Sequence, residues 1–293
     1  MSRTTGLNLV RLLHSSRTIM SRHPDFNKVQ ASRPDFERSK SFSYTKTVDP
    51  DWRPGQGATS QEWRDNKKIE LDPYAEGRSA GDVYKLIISG ITPRPIGFIS
   101  TVSKDGVPNL APFSYFNAMS SDPPMFALGI AGAPGNLKDS TQNILDTGEV
   151  TINIISEWFI EAANYASIDA PTGVDEWQLS GLTPAKSRLV RPDHVAESAF
   201  SIEGKLRSHN EWKSRRTGKV TSVTMMIEGL TFHIREDVLN EDRNIIDISK
   251  LRPVSRLGGI TYGRTVNGYE LKRPHFEREK QTEEVEKMLN SKI

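Results

Sequence analysis

The chain has 293 residues, 35% hydrophobic and 26% charged, enough to bury a core in one large domain or two small ones. It contains no cysteine, which excludes disulfides, thiolate metal sites, iron–sulfur clusters and a cysteine nucleophile. No apolar run approaches the ~20 residues that cross a bilayer, so no membrane span is expected.

The formal net charge of +2 is unevenly distributed. Residues 1–24 carry Arg3, Arg11, Arg17 and Arg22 and no acid. Without those four, the rest holds 35 basic residues against 37 acidic ones. The basic excess is therefore local and gives no reason to expect a nucleic-acid partner. Serines, threonines and scattered apolar residues from Leu7 to Ile19 complete the composition of a mitochondrial transit peptide. An unstructured basic terminus, with Met20 as a second start, has the same composition. The expected location is the mitochondrial matrix in the first case and the cytoplasm in the second.

Residues 25–81 are polar, broken by proline and glycine, and without periodicity. They nevertheless contain Phe26, Phe36, Phe42, Tyr44, Trp52, Trp63 and Tyr74, more aromatics than a linker usually carries. An arm of little regular structure is expected, pinned over the core by its rings. The folded domain is expected over 82–264. Asp82 is placed to cap a helix over 83–89 that stops at Gly90. Residues 96–103 read as a buried strand, 104–106 as a hairpin turn and 107–111 as the returning strand. A strand over 125–131 follows, then a glycine-rich turn, a helix over 138–147 closed by Gly148, and a strand over 149–156. Residues 157–166 have helical spacing. Residues 200–207 and 220–234 look like a long antiparallel pair. The charged tail, 265–293, reads as a loose helix from Lys272 onward. Strands outnumber helices and most connections are too short for parallel crossovers. The expected fold is mainly β, an antiparallel barrel with peripheral helices.

No GxGxxG follows a strand, and neither GxxxxGK[ST] nor HExxH occurs. The six histidines are scattered without ligand spacing, so no metal is expected. The segment from Thr92 to Pro124 is the densest in chemistry. Ser100 and Thr101 end an apolar strand, setting hydroxyls beside backbone amides. Asn109-Leu-Ala-Pro-Phe-Ser114 places a proline within a strand, and an irregular ladder exposing its backbone is expected there. Ser120-Ser-Asp-Pro-Pro124 is a rigid polar turn. Lys138-Asp-Ser140 opens a helix after a glycine-rich turn. A helix N-terminus offers free amides and partial positive charge, and Lys138 adds a full charge, which together make a phosphate site. Asp139 or Ser140 acting as an ordinary N-cap explains the same residues.

Several blocks resemble the flavin reductase-like, FMN-binding split-barrel family, which includes flavoredoxin-like proteins and the reductase components of two-component monooxygenases. They are Pro93-Arg-Pro-Ile96, Asn109–Asn117, Ser121-Asp-Pro-Pro124, Lys138-Asp-Ser-Thr-Gln-Asn143, Ala163-Asn164 with Ser167, Ser180-Gly-Leu-Thr-Pro184, and Arg256-Leu-Gly-Gly259 with Tyr262. The resemblance spans roughly 84–262. The aromatic arm and the Gly258–Arg264 ending are most similar to the fungal branch.

The resemblance implies a split barrel of antiparallel strands that binds FMN and works as a homodimer. It places Ser100, Thr101, Lys138 and Ser140 at the ribityl-phosphate, and Asn109, Ala111, Pro112, Phe113 and Ser114 along the flavin ring. Phe116 and Asn117 would flank the ring, and Asn164 and Ser167 would approach from a partner subunit. Arg94 is a candidate for orienting a nicotinamide diphosphate, or for a surface or dimer salt bridge. No side chain is expected to be catalytic, because the flavin would carry the chemistry. The expected activity is an NAD(P)H-dependent flavin reductase passing electrons through FMN to free flavin or another acceptor. The alternatives are an FMN-dependent oxygenase or oxidase acting on a small organic substrate, and a flavin- or haem-binding carrier or sensor.

Overall fold

The computed structural model describes residues 25–291; the basic segment 1–24 and its transit-peptide reading lie outside them. The chain divides into two units, the first ending at Lys40 and the second running from Ser41. In the first, Asp25 caps a six-residue helix, Phe26–Ala31, by accepting from the Asn27 amide. The second holds the sheet and everything that bears on function.

Seven strands build that sheet: β1 (Gly97–Val102), β2 (Pro108–Phe113), β3 (Phe116–Ser121), β4 (Pro124–Ala131), β5 (Glu149–Ile154), β6 (Phe200–Lys213) and β7 (Val220–Ile234). Their order is β2-β1-β5-β6-β7-β4-β3, and every neighbouring pair is antiparallel. The sheet curls until β2 and β4 touch, giving a barrel whose closure is incomplete. Helices α1 (Ala80–Gly90), α2 (Asp139–Thr147), α3 (Ile160–Tyr165) and α4 (Glu176–Ser180) lie around it.

The core has two parts because β1 is buried on both faces. Ile99 points inward with Leu128, Ile130, Val150, Ile152, Ile202, Met225 and Ile227, and Ile144 of α2 joins them from the barrel's end. Phe98 points outward and packs with Leu110, Phe159, Ala163 and Trp177 beneath α3 and α4. Successive residues of a strand face opposite ways. A strand covered on both faces therefore reads as an unbroken apolar run rather than an alternation.

Several local expectations are corrected. α1 begins at Ala80, with Ser79 as its N-cap and Asp82 completing a capping box. Ser79 stands in a Gly77-x-Ser79-x-Gly81 run, but its hydroxyl is engaged by Asp82, as befits a cap and not a nucleophile. β3 occupies a segment where no strand was expected, and the expected turn after it narrows to Asp122–Pro123. The ladder at Pro112 is regular: β1 and β2 stay in register from Gly97↔Phe113 to Val102↔Pro108. β2 is an edge strand, so the donor that Pro112 lacks belongs to the open side.

The rings of the arm do not bury. Phe36, Trp52, Trp63 and Tyr74 are all exposed. Residues 41–81 are tied down by a strand pairing and by one ring held at the surface. Ser43–Tyr44 pair in parallel with Asn267–Gly268, and the guanidiniums of Arg215 and Arg216 lie over Tyr74.

Candidate functional site

Gly148 at φ 72° ends α2 in the left-handed conformation, and Ile144 anchors the helix in the barrel. The other end of α2 is therefore fixed relative to the β2 edge. Between them lies a cavity of about 350 Å³, within the span of small-molecule pockets. Asn109, Ala111, Pro112 and Phe113 of β2 form one wall, Asn136–Ser140 a second, and the loop 166–172 with Glu176 the third.

The N-terminus of α2 is uncapped. Lys138 occupies the N-cap position, and no side chain accepts from the first-turn amides. The ordinary-cap explanation for Asp139 or Ser140 is thereby removed, since Asp139 accepts from Thr172 Oγ1 at 3.0 Å and Ser140 Oγ from Asn109 Nδ2 at 2.8 Å. Free amides at a helix start favour an anion. Lys138 Nζ reaches Asp169 at 3.1 Å, an exposed pair that an entering anion can exchange for itself at little cost.

A buried polar network sits behind this end. Asn109 Nδ2 also reaches Thr101 Oγ1 at 3.3 Å, and Asn143 Nδ2 donates to the same oxygen at 3.0 Å. Thr141 Oγ1, in the first turn of α2, is buried without a partner among the described residues.

Seven expected residues therefore share one cavity within a single chain: Asn109, Ala111, Pro112, Phe113, Lys138, Ser140 and Ser167. Ser167 reaches it without a partner subunit. The others are placed elsewhere. Adjacent strand residues cannot serve one ligand on one face: Thr101 is fully buried under Asn109 and Asn143, and Ser100 lies on the opposite side of β1, beside Trp177. Ser114 lies 3.5 Å from Arg94 Nε. Phe116 is buried in the barrel, stacked on Phe126. Asn117 is exposed and folded back onto the Ala118 amide. Asn164 Oδ1 accepts from Tyr262 Oη.

Arg94 is a structural clip. It is 6% exposed. Nη1 donates to the Ile88 and Ile91 carbonyls at the end of α1, and Nη2 donates to the Leu257 carbonyl. No carboxylate pairs with it among the described residues, and its guanidinium is committed to these carbonyls instead of being presented to a ligand.

Sequence reasoning missed Glu176. Trp177 anchors α4 in the outer core, and Asp175 caps it. Glu176, only 7% exposed, is thereby held against the cavity wall. Its Oε2 accepts from the Leu110 amide on the open edge of β2 at 3.3 Å. Burial pushes this carboxyl above the ordinary glutamate value, and the carboxylates of Asp139 and Asp175 add to the shift. A lone acid after a cap gives no signal in sequence.

The scattered histidines partly converge. His194 and His233 stack with ring centroids 4.1 Å apart, and His233 Nε2 meets Glu203 Oε1 at 2.5 Å. No cluster among the described residues is arranged to hold a metal.

Comparison with known proteins agrees with this geometry. The family model of the flavin reductase like domain matches residues 89–247. An uncharacterised protein of Aquifex aeolicus (strain VF5) is 34% identical over 194 residues, covering 65% of this chain and 93% of that protein. Among solved structures, nitrilotriacetate monooxygenase component B from Bacillus cereus superposes with a TM-score of 0.65 at 29% identity, covering 70% of this chain and all of that one. Flavoredoxin of Desulfovibrio vulgaris (Miyazaki F) gives a TM-score of 0.52 at 25% identity, over 62% of this chain and 91% of its own. The incompletely closed antiparallel barrel is thus a split barrel, and the chain belongs to the flavin reductase like family.

Proposed function

We propose that the chain binds FMN in the cavity between β2 and α2 and works as an NAD(P)H-dependent flavin oxidoreductase. The observation that carries this reading is the uncapped N-terminus of α2, set with Lys138 and Ser140 on the wall of a cavity otherwise lined by Ala111, Pro112 and Phe113. These residues fit the two ends of FMN. First-turn amides and an ammonium suit a phosphate monoester. An apolar strand edge with free backbone groups suits a flat heteroaromatic ring.

The chain's own residues bind and orient. Lys138 would release Asp169 and pair with the phosphate. Ser140 would offer its hydroxyl beside that phosphate, held in place by Asn109. Asn109 is in turn fixed by Thr101, whose oxygen also receives Asn143. Bound FMN would supply two-electron redox chemistry, which no side chain of a chain without cysteine provides.

The test is anaerobic addition of NADH or NADPH to protein loaded with FMN. Bleaching of the flavin band, followed by sustained NAD(P)H consumption when free flavin is added, is the expected result. A flavin that stays oxidised with both nucleotides would overturn the NAD(P)H-dependent activity while leaving FMN as the ligand.

A further inference from the structure

The cavity is oddly charged for a phosphate site. Its ionisable lining groups are Lys138, Asp139, Asp169 and Glu176, one cation against three acids. The acids differ in their means of relief. Asp169 is 94% exposed and paired with Lys138, so water and salt screen it. Asp139 is half-buried and accepts from Thr172. Glu176 has neither aid. It is 7% exposed, no cation pairs with it among the described residues, and its one donor from another residue is the Leu110 amide. The remaining elements around it, β2 and the loop 166–172, bring Asn109, Ala111 and Ser167 to the wall and no further charge beyond Asp169.

Placing a phosphate dianion beside a buried, unpaired carboxylate raises the energy of the charged form of that carboxyl. The least costly response is neutralisation of the group that water screens least. A neutral carboxyl then has an O–H to donate, where a carboxylate has only acceptors. Resting on the FMN reading above, we propose that Glu176 takes up one proton from solvent when FMN binds, and holds it as a hydrogen-bond donor while the ligand stays. One O–H bond forms on the Glu176 carboxylate, and nothing is oxidised or reduced. Glu176 thereby makes ligand binding proton-linked and acts as a specificity residue, favouring FMN at lower pH.

The direction agrees with the environment, because burial and neighbouring acids already push this carboxyl upward before any ligand arrives. Affinity is greatest where Glu176 is protonated. It falls as pH rises through the window between the carboxyl's pKa in the free protein and its higher pKa in the complex, by at most about tenfold per pH unit for one linked proton.

The experiment is FMN titration of the full chain and of Glu176→Gln across that window. The glutamine keeps an acceptor for the Leu110 amide and cannot titrate. The phosphate's own titration affects both proteins alike and cancels in the ratio of their Kd values. That ratio, wild type over Glu176→Gln, is expected to rise steadily with pH. A ratio flat with pH overturns the inference and leaves FMN binding intact, whereas failure of the wild type to bind FMN overturns the cofactor reading and this inference with it. Infrared difference spectra of the wild type with and without FMN need no variant. A protonated-carboxyl band appearing on FMN binding is expected, and its absence also overturns the inference.

Discussion

At the start of α2 one residue supplies both a backbone conformation and a charge. Lys138 is extended, at φ −66° and ψ 147°, so it opens the helix without capping it, and its ammonium lies on the cavity wall. Lys138→Ala leaves the helix and its buried Ile144 untouched and removes one charge-assisted contact. Such contacts are worth about 1.5–3 kcal/mol, and the 60% exposure of this side chain places it at the low end. FMN affinity is expected to fall about tenfold in a fluorescence titration, with an unchanged melting temperature. Unaltered affinity would remove Lys138 from the site. The sequence displayed this residue because a lysine beside a helix start after a glycine-rich turn is a pattern with a physical reason. It did not display Glu176, whose role depends on α4 folding against β2. Ser100 and Thr101 were misplaced because their hydroxyls were read together, although adjacent strand residues face apart. Arg94 was misread because nothing local reveals that three carbonyls from two segments converge on it.

At the scale of elements, the strands with strong apolar content were legible from composition and turns, and the helix expected over 138–147 was legible from the glycine-rich turn before it and its Gly148 stop. β3 was not. Phe116–Ser121 is exposed throughout beyond its first residue, because an edge strand uncovered on both faces needs little apolar content to pair. The same exposure carries a consequence. β3 leaves Met119 uncovered and Tyr115 precedes it, while α1 leaves Tyr84, Leu86 and Ile87 exposed and Ile91 follows. Burial holds the Tyr115 phenol above its ordinary value, and the neighbouring Tyr84 adds to the shift. Exposed apolar side chains of this kind are covered most simply by the same surface of a second copy. Sedimentation velocity is expected to show two chains per particle, with Ile91→Asp and Met119→Asp together shifting it to one. A monomeric wild type would refute the dimer.

For the whole molecule, the count of strands against helices and the shortness of connections were enough to reach an antiparallel barrel. The order of motifs was enough to suggest the family, and the match over residues 89–247 bears that out. The pairing of β6 with β7 was legible because a short turn joins them, but the rest of the order was not, since β5 meets β1 and β6, and β7 meets β4, across long stretches of sequence. The central claim is that this barrel's edge cavity holds FMN. Equilibrium titration of FMN into the purified full chain, followed by quenching of flavin fluorescence, tests it most directly. Saturable binding of one FMN per chain, with riboflavin binding far more weakly in a parallel titration, is the predicted result, because the phosphate contacts at α2 are lost with riboflavin. Flavin fluorescence that the protein leaves unquenched, or riboflavin binding as tightly as FMN, would contradict the account.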